Sequence, residues 1–223
     1  LKFVNRKDKK IGVPCDNKIY TFFCSTDYEY KAVSVDYKNF LKNKKWLKHE
    51  NAIKSAVDAI KKIPNSILYI KDHPCYLSGE SFNPWKKFEK KNKIIYFDRK
   101  ENVDSFDLLR KSDVILTYGS SMAVDAIYNG KPSISFRKHF FSGSNLLLEP
   151  KNEKELLEMM KNPKIPKKNY KKKCIPYGYY MQTFGKRFRF YKPKNYYKGD
   201  LFFQNINHYG YLINSIYKII KFF

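Results

Sequence analysis

Ser112-Asp113-Val114-Ile115-Leu116-Thr117-Tyr118-Gly119-Ser120-Ser121-Met122-Ala123-Val124-Asp125-Ala126, followed by Gly130-Lys131-Pro132, decides how the rest of the chain is read. A short buried strand ends at Tyr118, a Gly-Ser-Ser turn follows, and a helix over Ser121 to Tyr128 starts at once, closed by Asn129-Gly130. Unpaired backbone N–H groups and two hydroxyls then converge where a strand leaves its sheet, which is how α/β proteins hold anions. A helix N-terminus contributes only about 0.3 to 1 kcal/mol to a bound charge, so further donors are needed to hold a phosphate. Asp125, one turn into the helix, is placed to accept hydrogen bonds from a ribose. Equally open on this stretch alone is that Ser120 or Ser121 merely caps its own helix. The dinucleotide glycine fingerprint and the P-loop are both absent, which counts against NAD binding and ATP hydrolysis.

Working outward, the runs Ile19 to Cys24, Ile67 to Ile70, Lys93 to Phe97, Val114 to Tyr118 and Ser133 to Phe136 have the length and β-rich composition of buried strands. Helical spacing fills the gaps. Ala52, Ile53, Ala56, Val57, Ile60 and Ile63 repeat on one face before Pro64-Asn65, and Asp104 stands where it would cap a helix running to Lys111. A last helix, Glu153 to Met160, follows Pro150. Alternating strand and helix predict an α/β, Rossmann-like parallel sheet with helices on both faces. The division expected is a short extension at 1–18, the sheet domain at 19–161 and a basic aromatic tail at 162–223.

Composition sets the outer limits. The chain has 223 residues, 43% of them hydrophobic and 17% aromatic, too apolar for disorder. Lys and Arg exceed Asp and Glu by 45 − 21 = 24. No apolar run approaches the roughly 20 residues of a bilayer span. Four cysteines spaced 9, 51 and 99 residues apart carry no metal or redox pairing signature, so reduced thiols and a cytoplasmic location are expected. Because the sequence opens on Leu1 rather than Met, the lack of a targeting segment excludes nothing.

Two further segments end strands with polar groups. Tyr69-Ile70-Lys71-Asp72-His73-Pro74 runs a strand into His-Pro, and Pro74 keeps His73 out of helical geometry. In a parallel sheet His73 then shares an edge with Gly119, Ser120 and Ser121, although a lone histidine is more often structural. Phe22-Phe23-Cys24-Ser25-Thr26-Asp27-Tyr28-Glu29 ends the first strand in the same way. Ser25 and Thr26 are candidate phosphate donors, and Asp27 and Glu29 candidate sugar or acceptor contacts, against a plain polar turn. No carboxylate cluster supports a metal, and none is expected.

These segments together, with Asp-Ser-Phe-Asp-Leu-Leu at 104–109, resemble the carboxyl-terminal domain of bacterial capsule polysaccharide biosynthesis glycosyltransferases of GT-B architecture. The likeness runs from about Ile19 to Phe136, and Pro-Tyr-Gly-Tyr-Tyr at 176–180 is reminiscent of the tail in such proteins. The His-Pro and Ser-Ser pair also resembles the nucleotide-phosphate contacts of bacterial sialyltransferases, capsule Kdo transferases and CDP-glycerol glycerophosphotransferases. The resemblance implies that His73, Ser120 and Ser121 hold the phosphate of a nucleotide-sugar donor, with His73 as the catalytic group. Many GT-B enzymes have a ribose-binding Glu where this chain has Asp125, one methylene shorter. A glycan or glycolipid acceptor, a preceding amino-terminal domain or partner subunit, and attachment to the inner face of the cytoplasmic membrane are further implications. A CDP-glycerol-type polyol phosphotransferase is the near alternative.

From Lys161 through Lys198 there are thirteen Lys or Arg, ten Tyr or Phe and no Asp or Glu. Its prolines and glycines predict irregular chain up to Leu201, then a closing helix built on Phe203, Ile206, Leu212, Ile213, Ile216, Ile219 and Ile220, packing back on the domain. Basic and aromatic residues interleaved suit a single-stranded nucleic acid, an anionic membrane surface, or a structural wrap whose aromatics pack while the lysines stay solvated. A nonenzymatic nucleic-acid-binding protein is therefore the rival from another class, though no recognised binding module accompanies the charge.

Overall fold

The computed structural model describes residues 16–25, 46–73, 85–89, 93–99, 101, 103–138, 141–165, 169–183, 191–193, 198–201 and 204–207. Strands β1 (Lys18–Phe23), β2 (Ser66–Lys71), β3 (Ile94–Phe97), β4 (Val114–Thr117) and β5 (Ser133–Ser135) form one parallel sheet in the order β3-β2-β1-β4-β5. This is the α/β Rossmann-like architecture expected.

Side-chain alternation divides the core between the two faces. Tyr20, Phe22, Leu68, Ile70, Val114 and Leu116 pack on one side with α1 (His49–Ile60) and α4 (Glu153–Lys161). Ile19, Phe23, Tyr69 and Ile115 point to the other, against Leu108 and Leu109 of α2 (Ser105–Lys111) and Ala126 of α3 (Met122–Tyr128). Burial on both faces explains why the strands read as continuous apolar runs rather than alternating ones.

Local chemistry sets the ends of these elements. Asp104 caps α2 by accepting the Phe106 N–H at 2.6 Å, as expected. Asn152 caps α4 by accepting the Glu155 N–H at 2.9 Å, and the Glu155 carboxylate returns to the Lys151 N–H. α1 stops at Ile60, one turn before the predicted end. Lys62 and Ile63 form i to i−3 bonds there, and the Ser66 hydroxyl donates to the Ile63 carbonyl at 2.7 Å. α3 ends at Tyr128, and the chain turns away through Gly130, whose φ of 73° belongs to the left-handed region that glycine enters without strain.

The tail differs from expectation. Tyr170–Thr183 is a helix, α5, with Pro176 inside it, where irregular chain was predicted. Tyr170, Cys174 and Tyr177 recur at i, i+4 and i+7 and pack against Ala123, Val124, Ile127 and Phe141. That tertiary face outweighs the local cost of Pro and Gly.

Contacts divide the chain into Leu1–Tyr179 and Tyr180–Phe223. The second unit contains an antiparallel sheet of β6 (Tyr191–Pro193), β7 (Lys198–Leu201) and β8 (Gln204–Asn207). Gln204–Asn207 is thus a strand, paired antiparallel with β7, where the closing helix was to begin. The remainder of that expected helix lies outside the described residues. Among the described residues no helix is long and apolar enough to cross a membrane.

Candidate functional site

Strand register brings the expected segments to one edge. Phe97, Lys71, Phe23, Thr117 and Ser135 stand level as the last paired row across β3, β2, β1, β4 and β5. Counting two residues onward from each gives Arg99, His73, Ser25, Gly119 and Arg137. The strand order reverses between β1 and β4, and in open parallel sheets the crevice beyond such a reversal is where ligands bind. Ser25 and Gly119 follow the two strands that flank it. His73 follows the next strand, so its strand and that of Gly119 are about 10 Å apart, two strand spacings.

Each predicted residue has a distinct environment. His73 is half-buried, and its backbone N–H donates to Asp72 Oδ1 at 3.0 Å. Asp72 is itself buried and accepts the Tyr96 hydroxyl on Oδ2 at 2.8 Å, so the carboxylate ties the chain at His73 to β3. Gly119 is buried with φ 79°, a conformation that a side chain would strain. Ser120 is half-buried, and its Oγ accepts the Met122 N–H at 3.3 Å, a capping role. Ser121 is exposed and makes no capping bond. With only seven residues, α3 contributes little dipole, and the backbone turn at Gly119 is the more substantial anion feature.

Ser25 is buried rather than presented to solvent. Thr26, Asp27 and Glu29 lie outside the described residues. Asp125 is half-buried, with burial pushing its carboxyl up. It acts electrostatically on Cys174 and Tyr177 of α5, so the structure groups it with that helix as well as with the turn. Tyr177 is pushed up by burial and by Asp125, while the Ser121 hydroxyl pulls it down. The tail therefore reaches the candidate site through Tyr177, which sequence reading had placed in irregular chain.

Other site residues were missed. His49, the first residue of α1, is 1% exposed and lies flat on Tyr118 at 4.5 Å between ring centroids. It also contacts Phe22 and Trp85. Burial above all, with the nearby His73, lowers its pKa to about 3, so the ring is neutral, and an imidazole N–H donates to the Ser25 backbone. The signal was present: His49 continues the stripe of Ile53, Ala56 and Ile60, a polar residue on a buried face. Arg137 is buried as well, with its guanidinium 5.5 Å from the centre of the Tyr118 ring. Tyr118 donates to the Trp46 and Leu47 carbonyls at 2.9 and 2.8 Å, anchoring the start of α1 to the end of β4. Lys71, buried too, reaches the Asp72 and Asp98 carbonyls at 3.3 Å, and burial pushes its ammonium down.

No family model and no curated protein sequence matches the chain. Among solved structures it is similar to the β-Kdo 2,4-transferase KpsC of Thermosulfurimonas dismutans, at 21% identity and a TM-score of 0.43, over 69% of this chain and 46% of that one. A UDP-GlcNAc 2-epimerase from Neisseria meningitidis, bound to UDP-GlcNAc, gives 15% and 0.43, over 72% and 39%. Sucrose-phosphate synthase from Thermosynechococcus elongatus gives 12% and 0.45, over 74% and 42%. The chain spans less than half the length of each. Likeness at this level says nothing about chemistry, which rests on the residues.

Chemically, the edge combines cations, a half-buried imidazole and a glycine turn at the ends of neighbouring strands. Such a set favours an anion with oxygen acceptors, provided the ligand also satisfies the polar groups that burial has stripped of water.

Proposed function

We propose that this chain is the donor-binding part of a GT-B glycosyltransferase that moves a sugar from a nucleotide-activated donor in capsule or surface polysaccharide synthesis. The supporting observation is that His73 and the Gly119–Ser121 turn follow strands ending at one carboxyl edge, on either side of β1 and beside the strand-order reversal.

Sugar transfer breaks the bond between the anomeric carbon and a phosphate oxygen, so negative charge grows on the leaving phosphate. Groups aimed at that oxygen bind more strongly as the bond breaks and so accelerate the step. In this proposal protonated His73 supplies a cation, and the backbone after Gly119 with the Ser120 and Ser121 hydroxyls supplies fixed dipoles, with no divalent metal required. EDTA should leave transfer by the active full-length enzyme unchanged; its abolition would overturn these roles. A preceding domain or partner subunit supplies the acceptor side. On α5, Ile175 and Tyr179 are 60% and 70% exposed beside Lys171, Lys172 and Lys173, which suits an anionic membrane surface. Flotation with anionic liposomes at low salt tests that attachment, and no binding removes it.

Thermal shift with CMP, CDP and UDP, set against an oligonucleotide, tests the central assignment. Stabilisation by a nucleotide that His73→Ala removes is the expected result. A steep salt-dependent gain with any oligonucleotide would favour the nucleic-acid-binding alternative instead. Release of a polyol phosphate rather than a sugar in turnover would identify the CDP-glycerol-type transferase.

A further inference from the structure

His49 is costly if its only purpose is packing. Its Nε2 is buried and has no hydrogen-bond partner among the described residues. The ring is surrounded by Phe22, Trp85 and Tyr118, an apolar environment in which an unpaired ring nitrogen is costly. Position adds to the cost, since a charged imidazole at the first residue of α1 would also face the positive end of a twelve-residue helix. The ring is thus a neutral imidazole with one N–H committed to the Ser25 backbone and one lone pair uncommitted. A buried, oriented lone pair can accept from an N–H or O–H and cannot contact a phosphate oxygen.

Two donors belong to its surroundings: the buried Trp85 Nε1–H, whose ring meets His49 edge-on at 4.9 Å, and His73, the one of the two that stands at the sheet edge. Its charge is felt at His49, and it stands beyond β2, beside the Ser25 end of β1. We propose that His49 is a positioning residue for His73: its Nε2 accepts one N–H of the His73 imidazolium and turns the other N–H toward the bound phosphate. This rests on the donor-binding assignment above and deepens it. In the free protein the lone pair waits. With a phosphate bound, an imidazolium at His73 offers two N–H groups, one for His49 and one for the ligand. Because His49 stays neutral, the pair carries one positive charge rather than two. The same division, in which one group reacts and a second orients it, underlies acid–base pairs generally.

The test uses the whole chain. With 15N-labelled histidines, four in the sequence and assignable by single substitution, the His49 Nε2 signal should be that of a bare acceptor in the free protein. It should move upfield on saturation with CDP or UDP, whichever gives the larger thermal shift. His49→Phe keeps the aromatic contacts and removes the acceptor together with the N–H that donates to the Ser25 backbone, whereas His49→Gln keeps a donor and an acceptor. His49→Phe should remain folded at pH 7 and bind that nucleotide about tenfold more weakly, the loss of one ordinary hydrogen bond. His49→Gln, whose carbonyl can accept, should recover part of the difference. An unmoved Nε2 signal in saturated wild-type protein overturns the proposal even if His49→Phe does not fold. Unchanged affinity in a folded His49→Phe overturns it too. If His73→Ala abolishes binding while His49→Phe leaves it intact, the donor-binding assignment stands and only His49's role falls. If wild type binds none of the nucleotides, that assignment fails and takes this one with it.

Discussion

Replacing Tyr96 with Phe isolates the bond that fixes the approach to His73. Tyr96 is buried on β3, where its ring packs in the core and its hydroxyl donates to Asp72 Oδ2 at 2.8 Å. Burial, followed by the bond to Asp72, pushes the phenol above its ordinary range, so it remains a donor at every working pH. Tyr96→Phe therefore keeps the packing and deletes one O–H. The acceptor carboxylate is 2% exposed, so water does not readily replace the lost donor. Hydrogen bonds to charged groups are worth about 1.5 to 3 kcal/mol. Lys71, adjacent in sequence and electrostatically coupled to Asp72, cushions that buried oxygen and favours the lower half of that range.

For a protein of this size each kcal/mol moves the melting temperature by about 2 to 4 °C, so the expected fall is roughly 3 to 8 °C. Urea unfolding should give the same loss with an unchanged slope. Since Asp72 Oδ1 still holds the His73 N–H, nucleotide affinity should fall less than in His73→Ala. A melting temperature within about 1 °C of wild type, with an unaltered urea midpoint, would refute the claim that this bond carries the edge.

Stability should also depend on pH through His49. Its folded pKa of about 3 lies below the ordinary 6.5, so the unfolded chain binds the extra proton first. Stability is then complete above about pH 6.5 and declines as pH falls toward 3, by about 1.4 kcal/mol per unit. Urea midpoints at pH 7 and pH 5 should show this slope in wild type and its loss in His49→Phe, which keeps the same background of basic charge. Gly119→Ala should cost about 1 to 2 kcal/mol because of the left-handed φ, and should weaken nucleotide binding by displacing Ser120, measured by melting and titration. Gly130→Ala should act at a distance. Besides the positive φ, its Cβ would stand 3.3 Å from the Tyr170 hydroxyl, so loosening of α5 should speed thiol labelling of Cys174, which is buried in the native protein.

The sheet was legible because its strands are buried on both faces and its helices announce themselves locally. Val114–Thr117 is apolar without interruption, and Asp104 caps α2 with no help from elsewhere. His73 and Gly119 could be assigned to one edge for a related reason, since parallel strands send their carboxyl ends the same way. Tyr177 and the helix around Pro176 were not legible. Tyr170, Cys174 and Tyr177 make a face only because Val124, Ile127 and Phe141 are there to receive it, and that partnership is tertiary.

His49 is the more instructive omission, because its pattern was visible while its meaning was not. Helical spacing places it on the buried stripe of α1, where a polar residue either finds a partner or costs stability. Sequence cannot say which, as the answer depends on Ser25, Tyr118 and His73, which are 24, 69 and 24 residues away in the chain. The same contacts explain why the edge acts as one unit. Tyr118 is hydrogen-bonded to the carbonyls of Trp46 and Leu47 and stacked on His49, while His49 donates to Ser25 and feels His73. The ends of β4, β1 and β2 thus meet at one imidazole in addition to their backbone pairing. Substitutions at Tyr118 should accordingly disturb His49 and His73 together rather than one at a time, whereas changes at Ser121, exposed and outside that chain of contacts, should leave both unmoved.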